Sequence, residues 1–360
     1  MENIALIGRN NSFSNSFGQG VERLKYELVN RISKVEDHEL DIRKLEPKLF
    51  PSSMSNRALS GANFLLGSFF TKFKEFSIVH NLDQLPLFAP FRTEQTLFIQ
   101  SLYDFQATDF TDSFNVERSI MGKFKKNIFV RMSKFQEKIK DNIDHYIAIS
   151  SLTKEDAIRH GFDPHRITVI NLGIDERFTN GIIPTRKRGN VVGYIGSFSL
   201  NKNLQFAMRA FSMLPNMDIE FKIWGKNHDF LKYKEIDHDI KIDKRIKFSG
   251  FAPEDKIVDI YDEFSVLVFP SLVEGFGIPI IEAQSRGVPV IILKKSKIPL
   301  EVRKYCIEVE THSDMAEAID NCLRKSLPEL YIKDMINYAK KFTWDNTVSN
   351  TIKLYKELLK

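Results

Sequence analysis

Ser265-Val266-Leu267-Val268-Phe269-Pro270-Ser271-Leu272-Val273, running on into Glu274-Gly275-Phe276-Gly277-Ile278-Pro279-Ile280-Ile281-Glu282, reads as a strand, a turn and the start of a helix. The first segment is a continuous apolar run, β-branched and aromatic, closed by proline, as expected of a strand buried on both faces. Gly275 and Gly277 let the turn take positive φ and lie directly against a ligand. Pro279 suits the first turn of a helix, where its missing N–H costs nothing. The pattern predicts a helix over Ile280 to Arg286, with unpaired N–H groups and the positive dipole end aimed at the loop. A diphosphate fits there. Glu274, ahead of the turn, suits a sugar hydroxyl, and Glu282, one turn in, suits a ribose diol. Glu274 also reads as a solvated loop acid, and Glu282 as a first-turn acid answering the helix dipole.

Outward from this unit, strand-like runs alternate with helical patterns, which points to parallel sheets covered on both faces. Upstream lie Asn190 to Gly196, Asp218 to Trp224 and Ile246 to Ser249; downstream lies Val288 to Leu293. Ser197 to Leu204 leads from the first of these into a helix through Phe211. The N-terminal half repeats the logic with strands at Asn3 to Gly8, Ser77 to His80, Thr96 to Leu102, His145 to Ile149 and Arg166 to Ile170. Val21, Leu24, Leu28 and Ile32 form one helical stripe, and Ser150 to Glu155 caps a helix ending near His160-Gly161. The pattern breaks between Asn180 and Arg188, which places a domain boundary near 183/184. Ligands of open α/β sheets bind beyond the carboxyl ends of the strands, so two such domains predict an interdomain cleft.

Composition sets the outer limits. The chain of 360 residues is 42% hydrophobic and 28% charged, with 52 Lys and Arg against 47 Asp and Glu, a net charge of +5. That is ordinary globular composition with room for two cores. No apolar run approaches the roughly 18 residues that span a bilayer. Glu2 and Arg9 bracket the opening apolar run, unlike a secretion signal, and a reducing cytoplasm is the expected compartment. Cys306 and Cys322 stand without a Cys/His cluster, so neither a disulfide framework nor a zinc site is indicated. Charge is concentrated in one place: between Arg118 and Lys140 eight basic residues face a single acid, Glu137. Ile120, Phe124, Ile128, Met132, Phe135 and Ile139 recur there at helical spacing. The segment reads either as a helix docked by that stripe or as one lying on an anionic membrane surface. No recognised fold or interleaved aromatics support nucleic acid as a partner.

These segments together resemble family 4 of the retaining glycosyltransferases, with the GT-B fold: two Rossmann-like α/β domains facing across a cleft. The resemblance covers nearly the whole chain. Ser271 to Gly277 resembles the family's most recognisable block, Ile195-Gly196 through Lys202-Asn203 its donor-phosphate segment, and Ile147 to Ser150 with Val169 to Asp175 the close of its first domain. Phe342-Thr343-Trp344-Asp345 with Tyr355 resembles the closing segment, whose last helix crosses back. The implied division is an acceptor-side domain over 1–183, a donor-side domain over 184–341 and a returning segment over 342–360.

The resemblance implies transfer of a hexose-type sugar from a nucleotide-sugar co-substrate to a glycan or lipid-linked acceptor, with retained configuration and neither cofactor nor metal in the site. Lys202 matches the cation on the diphosphate and Glu274 the carboxylate near the donor sugar. Gly275, Phe276, Gly277 and Ile278 would present backbone to sugar and phosphate, and Glu282 would hold the ribose. Gly225 and Phe251 fall where relatives bind the base, and Gly18 and Gly20 in the first-domain glycine loop. Two positions depart from the pattern. Ser197 follows Gly196 where many relatives keep a base, and Tyr103-Asp104 occupies a segment in which many keep a histidine. These departures leave a non-catalytic GT-B subunit open as an alternative; a phosphorylase or epimerase on the same fold is a second alternative. The expected setting is peripheral, on the inner face of the membrane.

Overall fold

The computed structural model describes residues 1–7, 20–32, 34, 39–45, 72–83, 94–105, 137–181, 189–215, 218–225, 243–325 and 327–360. They form two compact units, Met1–Gly173 with Trp344–Lys360, and Ile174–Thr343. The division precedes the composition break at 183 because residues after Gly173 are already bonded into the second unit. Ile174 N–H donates to Phe342 O at 3.0 Å, and Arg286 Nη1 donates to Gly181 O at 3.2 Å. Thr343 pairs with Ile174, which moves the second division from 341 to 343.

The first unit is built on β1 (Glu2–Ile7), β2 (Leu40–Leu45), β3 (Ile78–Asn81), β4 (Leu97–Leu102), β5 (His145–Ala148) and β6 (Ile167–Val169), in the order β2-β1-β3-β4-β5-β6. All the pairings are parallel. Helix α1 (Gly20–Ile32) follows β1 and α2 (Ser151–Arg159) follows β5. Ser150 caps α2 by accepting from Thr153 N–H, which satisfies an amide the helix cannot pair itself. Ala5, Val79, Phe98, Tyr146 and Phe162 belong to one buried cluster.

The second unit runs α3 (Glu176–Asn180), β7 (Val191–Ile195), α4 (Leu204–Ser212), β8 (Glu220–Trp224), β9 (Ile246–Gly250), α5 (Ile257–Glu263), β10 (Val266–Phe269), α6 (Ile278–Ser285), β11 (Val290–Leu293), α7 (Leu300–Arg303), β12 (Cys306–Val309), α8 (His312–Arg324) and α9 (Glu329–Ala339). Its parallel sheet has the order β12-β11-β10-β7-β8-β9. The strands β10 and β11 are buried throughout, as their unbroken apolar runs require of a sheet covered on both faces. One face packs Val192, Tyr194, Phe221, Ile223, Val266 and Val268 against Ala207 and Phe211 of α4 and Met315 and Ile319 of α8. The order reverses between β7 and β10: the chain leaves β7 towards one edge and β10 towards the other. Doubly wound sheets bind ligands outside the carboxyl ends of their strands at this switch point.

The last helix, α10 (Trp344–Leu358), belongs to the first unit and packs on α1. Trp344, Val348, Leu354 and Tyr355 are buried there, and Thr347 Oγ1 donates to Asn171 O at 2.8 Å.

Candidate functional site

Two loops meet at the switch point of the second sheet. The loop after β7 is held by its own polar groups: Tyr194 OH donates to Ser197 O at 2.6 Å, Ser197 Oγ lies 2.9 Å from Ser199 Oγ, and Ser199 Oγ donates to Asn201 Oδ1 at 2.7 Å. A 3-10 turn over Leu200–Lys202 then ends on Asn203 in the left-handed region at φ 50°. The loop after β10 is joined to it by Leu272 N–H donating to Asn201 O at 2.8 Å, and is braced behind by Glu274 N–H donating to Lys297 O at 2.9 Å. The side chains complete the junction. Lys202 Nζ donates to Glu274 Oε1 at 2.6 Å and to Oε2 at 2.8 Å. The side chains are 22% and 10% exposed respectively. The two groups read from the sequence as candidate phosphate cation and candidate sugar carboxylate are thus one ion pair.

Of the two glycines read as giving the turn positive φ, Gly277 takes it and Gly275 does not. Gly277 sits at φ 103° and opens α6, with no side-chain cap on the helix and Pro279 in its first turn. The helix begins two residues earlier than Ile280, because Gly277 and not the proline marks its start. Phe276 is buried, edge-on to Phe342 with ring centroids 5.9 Å apart. Ile278 is half-buried. Glu282 is buried inside α6 and accepts from Tyr261 OH at 2.8 Å. Because α6 starts at Ile278, Glu282 lies past its first turn and its carboxylate is held by a side chain, which departs from the reading of a first-turn acid answering the helix dipole. Arg177 lies close enough to feel it: its hydrogen bond to Asp175 raises its pKa most, with Asp175, Glu254 and Glu282 adding to the effect as nearby charges.

The neighbouring strand ends close the site's other side. Gly196 N–H donates to Trp224 O at 3.0 Å and Gly225 N–H to Gly250 O at 2.7 Å. A Cβ on Gly225 would stand 2.1 Å from Gly196 O, so only glycine lets these backbones approach. Phe251, next along, is 56% exposed. Sequence reasoning used Trp224 for its backbone alone. Its indole Nε1 is buried and has no hydrogen-bond partner among the described residues, and the same holds for Ser271 Oγ, where β10 ends. Buried polar atoms are ordinarily paired, and nothing in the sequence pattern marks these two.

In the first unit, Gly20 is the first residue of α1 and Gly18 lies outside the described residues. Tyr103 is buried and donates to Leu82 O at 2.5 Å; burial, chiefly, with the charge of Asp83, pushes its phenol pKa well above the ordinary value. Asp104 is half-buried. Lys25 of α1 and Asp83 after β3 form a buried ion pair, at the point where this sheet's order reverses between β1 and β3. That pair, 58 residues apart in the chain, was not anticipated. Of the basic segment, residues 118–136 lie outside the described residues. Lys140, at its end, donates to Gly161 O at 2.5 Å, beyond the carboxyl end of α2.

Residues 175–342 match the family model of the group 1 glycosyl transferases. The match covers nearly the whole of the second unit. The matched segment spans the sheet whose switch point joins Lys202 to Glu274. Among similar curated proteins are the D-inositol 3-phosphate glycosyltransferase of Corynebacterium glutamicum, 24% identical over 250 residues, 62% of this chain and 60% of that protein, and the O-antigen chain mannosyltransferase B of Escherichia coli, 27% identical over 175 residues, 46% of this chain and 45% of that one. The chain therefore spans less than two thirds of the length of these relatives. Among solved structures, Anabaena HepE in complex with UDP superposes with a TM-score of 0.69 at 15% identity, covering 99% of this chain and 100% of that one. The fold is GT-B, with two doubly wound α/β units and the last helix returned to the first.

Proposed function

We propose that the protein is a retaining, metal-independent hexosyltransferase that moves a hexose-type sugar from a nucleotide-sugar donor to a glycan or lipid-linked acceptor, peripherally at the cytoplasmic face of a membrane. The observation that carries this reading is the Lys202–Glu274 pair at the sheet's switch point, beside the glycine turn that opens α6. In this reading Lys202 supplies positive charge where a leaving diphosphate gains negative charge. The uncapped first amides of α6 face the same group. Glu274 binds donor-sugar hydroxyls, and Glu282, steadied by Tyr261, holds the ribose. Phe251 and the Gly196–Gly225–Gly250 corner provide a base platform, consistent with the UDP carried by a protein of the same fold. The named relatives, an inositol-phosphate glycosyltransferase and an O-antigen mannosyltransferase, support a phosphorylated polyol or growing glycan as the acceptor class.

Purified protein tests the reading when offered UDP, GDP and ADP sugars. Calorimetric donor binding with transfer or slow donor hydrolysis is expected, and Glu274→Ala and Lys202→Ala are expected to abolish turnover. NMR of the product's anomeric carbon is expected to show retained configuration, and chelator treatment to leave the rate unchanged. Absence of donor binding would sink the proposal. Binding without turnover would favour instead a non-catalytic subunit, the reading that Ser197 beside Gly196 motivates. Co-sedimentation with anionic vesicles at low salt tests the membrane assignment separately.

A further inference from the structure

The Lys202–Glu274 contact has the geometry of a closed pair. Both carboxylate oxygens lie on one ammonium, at 2.6 and 2.8 Å, and the backbones carrying the two side chains are fastened together through Leu272 and Asn201. Lys202 is further fixed by its own amide donating to Ser199 O at 2.9 Å, and Glu274 by the bridge of Val273 to Lys297. Two flexible side chains meeting on an open surface gain little from such a contact. Here Glu274 is buried and Lys202 half-buried, both presented by backbones that are bonded together, so separating them leaves a buried carboxylate without its countercharge.

We propose that Glu274 is the internal counterion of Lys202 and that it discriminates the sugar-bearing donor from the bare nucleoside diphosphate left after transfer. This inference rests on the reading of Lys202 and Glu274 as parts of a donor site. A diphosphate that draws Lys202 away brings negative charge towards Glu274 and strips the carboxylate of two hydrogen bonds. A donor that carries its sugar returns hydroxyl donors to those oxygens, and so offsets the loss. A nucleoside diphosphate has no hydroxyl at that end. Once the sugar has moved to the acceptor, Lys202 regains Glu274 and the diphosphate is released. Glu274 thereby has a role in product release that is distinct from any contact with the reacting carbon.

Calorimetric titration of UDP, GDP and ADP into the wild-type chain, Glu274→Gln, Glu274→Ala and the same substitutions on a Lys202→Met background tests this. Gln keeps the size and one acceptor of the carboxylate without its charge, and Ala serves should Gln distort the loop. The nucleoside diphosphate that binds is expected to bind about five- to tenfold more tightly to both Glu274 variants. Most of that gain is expected to vanish on the Lys202→Met background. An affinity unchanged or weakened in both variants overturns the counterion role while leaving the donor-site reading intact. A gain that persists in full without Lys202 also overturns it, because the carboxylate would then only repel phosphate. Binding of none of the three nucleotides to any of the proteins overturns the donor-site reading and the counterion role with it.

Discussion

Arg286 and Asp262 form a two-pronged buried pair, Nε to Oδ1 at 2.8 Å and Nη2 to Oδ2 at 2.7 Å. Arg286 follows the last residue of α6 and Asp262 lies on α5, so the pair ties together the two helices that flank β10. Its third nitrogen reaches Gly181 O and fastens the entry of the chain into the second unit. Removing one partner strands the other charge in the interior, which costs about 3 kcal/mol or more. Asp262→Ala is expected to destabilise the second unit by about that amount in urea denaturation. A loss comparable to that of an exposed ion pair would show that the guanidinium finds other acceptors.

His80 on β3 links two elements of the first unit. Its Nδ1 lies 2.6 Å from Tyr355 OH on α10, and its Nε2 lies 2.9 Å from Ser101 Oγ on β4. Burial lowers its pKa from 6.5 to about 3, because the cation has no solvent there. The unfolded chain therefore binds the proton that the folded chain refuses. Stability is complete above pH 6.5 and is lost as pH falls from there towards 3. Between pH 6.5 and 5 the loss from this one group is about 2 kcal/mol. Thermal unfolding followed across that window is expected to show a steeper acid dependence in the wild type than in His80→Gln, which carries no titrating group at this position.

Gly225 tests how closely the strand ends must approach. A Cβ there meets Gly196 O, a backbone atom, and Phe198 Cε1 at 2.8 Å, so neither a rotamer change nor a local shift relieves it cheaply. Gly225→Ala is expected to cost about 2 to 3 kcal/mol, read by urea denaturation, and to weaken nucleotide binding in proportion to the displacement of the Gly196 loop. Wild-type affinity in a destabilised variant would place the base elsewhere.

The second sheet was legible where its strands are central. Val266 to Phe269 and Val290 to Leu293 are buried on both faces, so each shows as an unbroken apolar run. Of the four edge strands, β6 and β9 were read, and β2 and β12 escaped notice for the converse reason. Leu40-Asp41-Ile42-Arg43-Lys44-Leu45 has one buried residue, and Cys306-Ile307-Glu308-Val309 also has one; with one flank solvated, the pattern loses its period. The helix after Gly277 starts two residues before the predicted Ile280, whereas the glycine at its head was readable from local residue types. The ion pairs were not, since Lys202 and Glu274 stand 72 positions apart and meet only because β7 and β10 are neighbours at the reversal of strand order. The burial of the Tyr103 hydroxyl against Leu82 was equally hidden, because an aromatic at a strand end gives no sign of which way its ring turns.

The return of α10 to the first unit gives the last prediction. Trp344, Val348, Leu354 and Tyr355 are buried against that unit, and fully burying a large apolar side chain is worth about 1.5 to 3 kcal/mol. The helix also brings Thr347 to Asn171 O, Tyr355 to His80 and Asp345 to Arg31, the last at 2.8 Å. Their sum is comparable to the whole stability of an ordinary domain, about 5 to 15 kcal/mol. A chain ending at Thr343 is therefore expected to lose the cooperative unfolding of the first unit. The second unit keeps every pairing of its own sheet and the separate Ile174–Thr343 bridge, and is expected to keep its transition. Differential scanning calorimetry with limited proteolysis reads both outcomes. Protease-resistant residues 174–343 beside a degraded N-terminal half match the expectation, and a single transition at wild-type temperature would show that α10 contributes little of the first unit's stability.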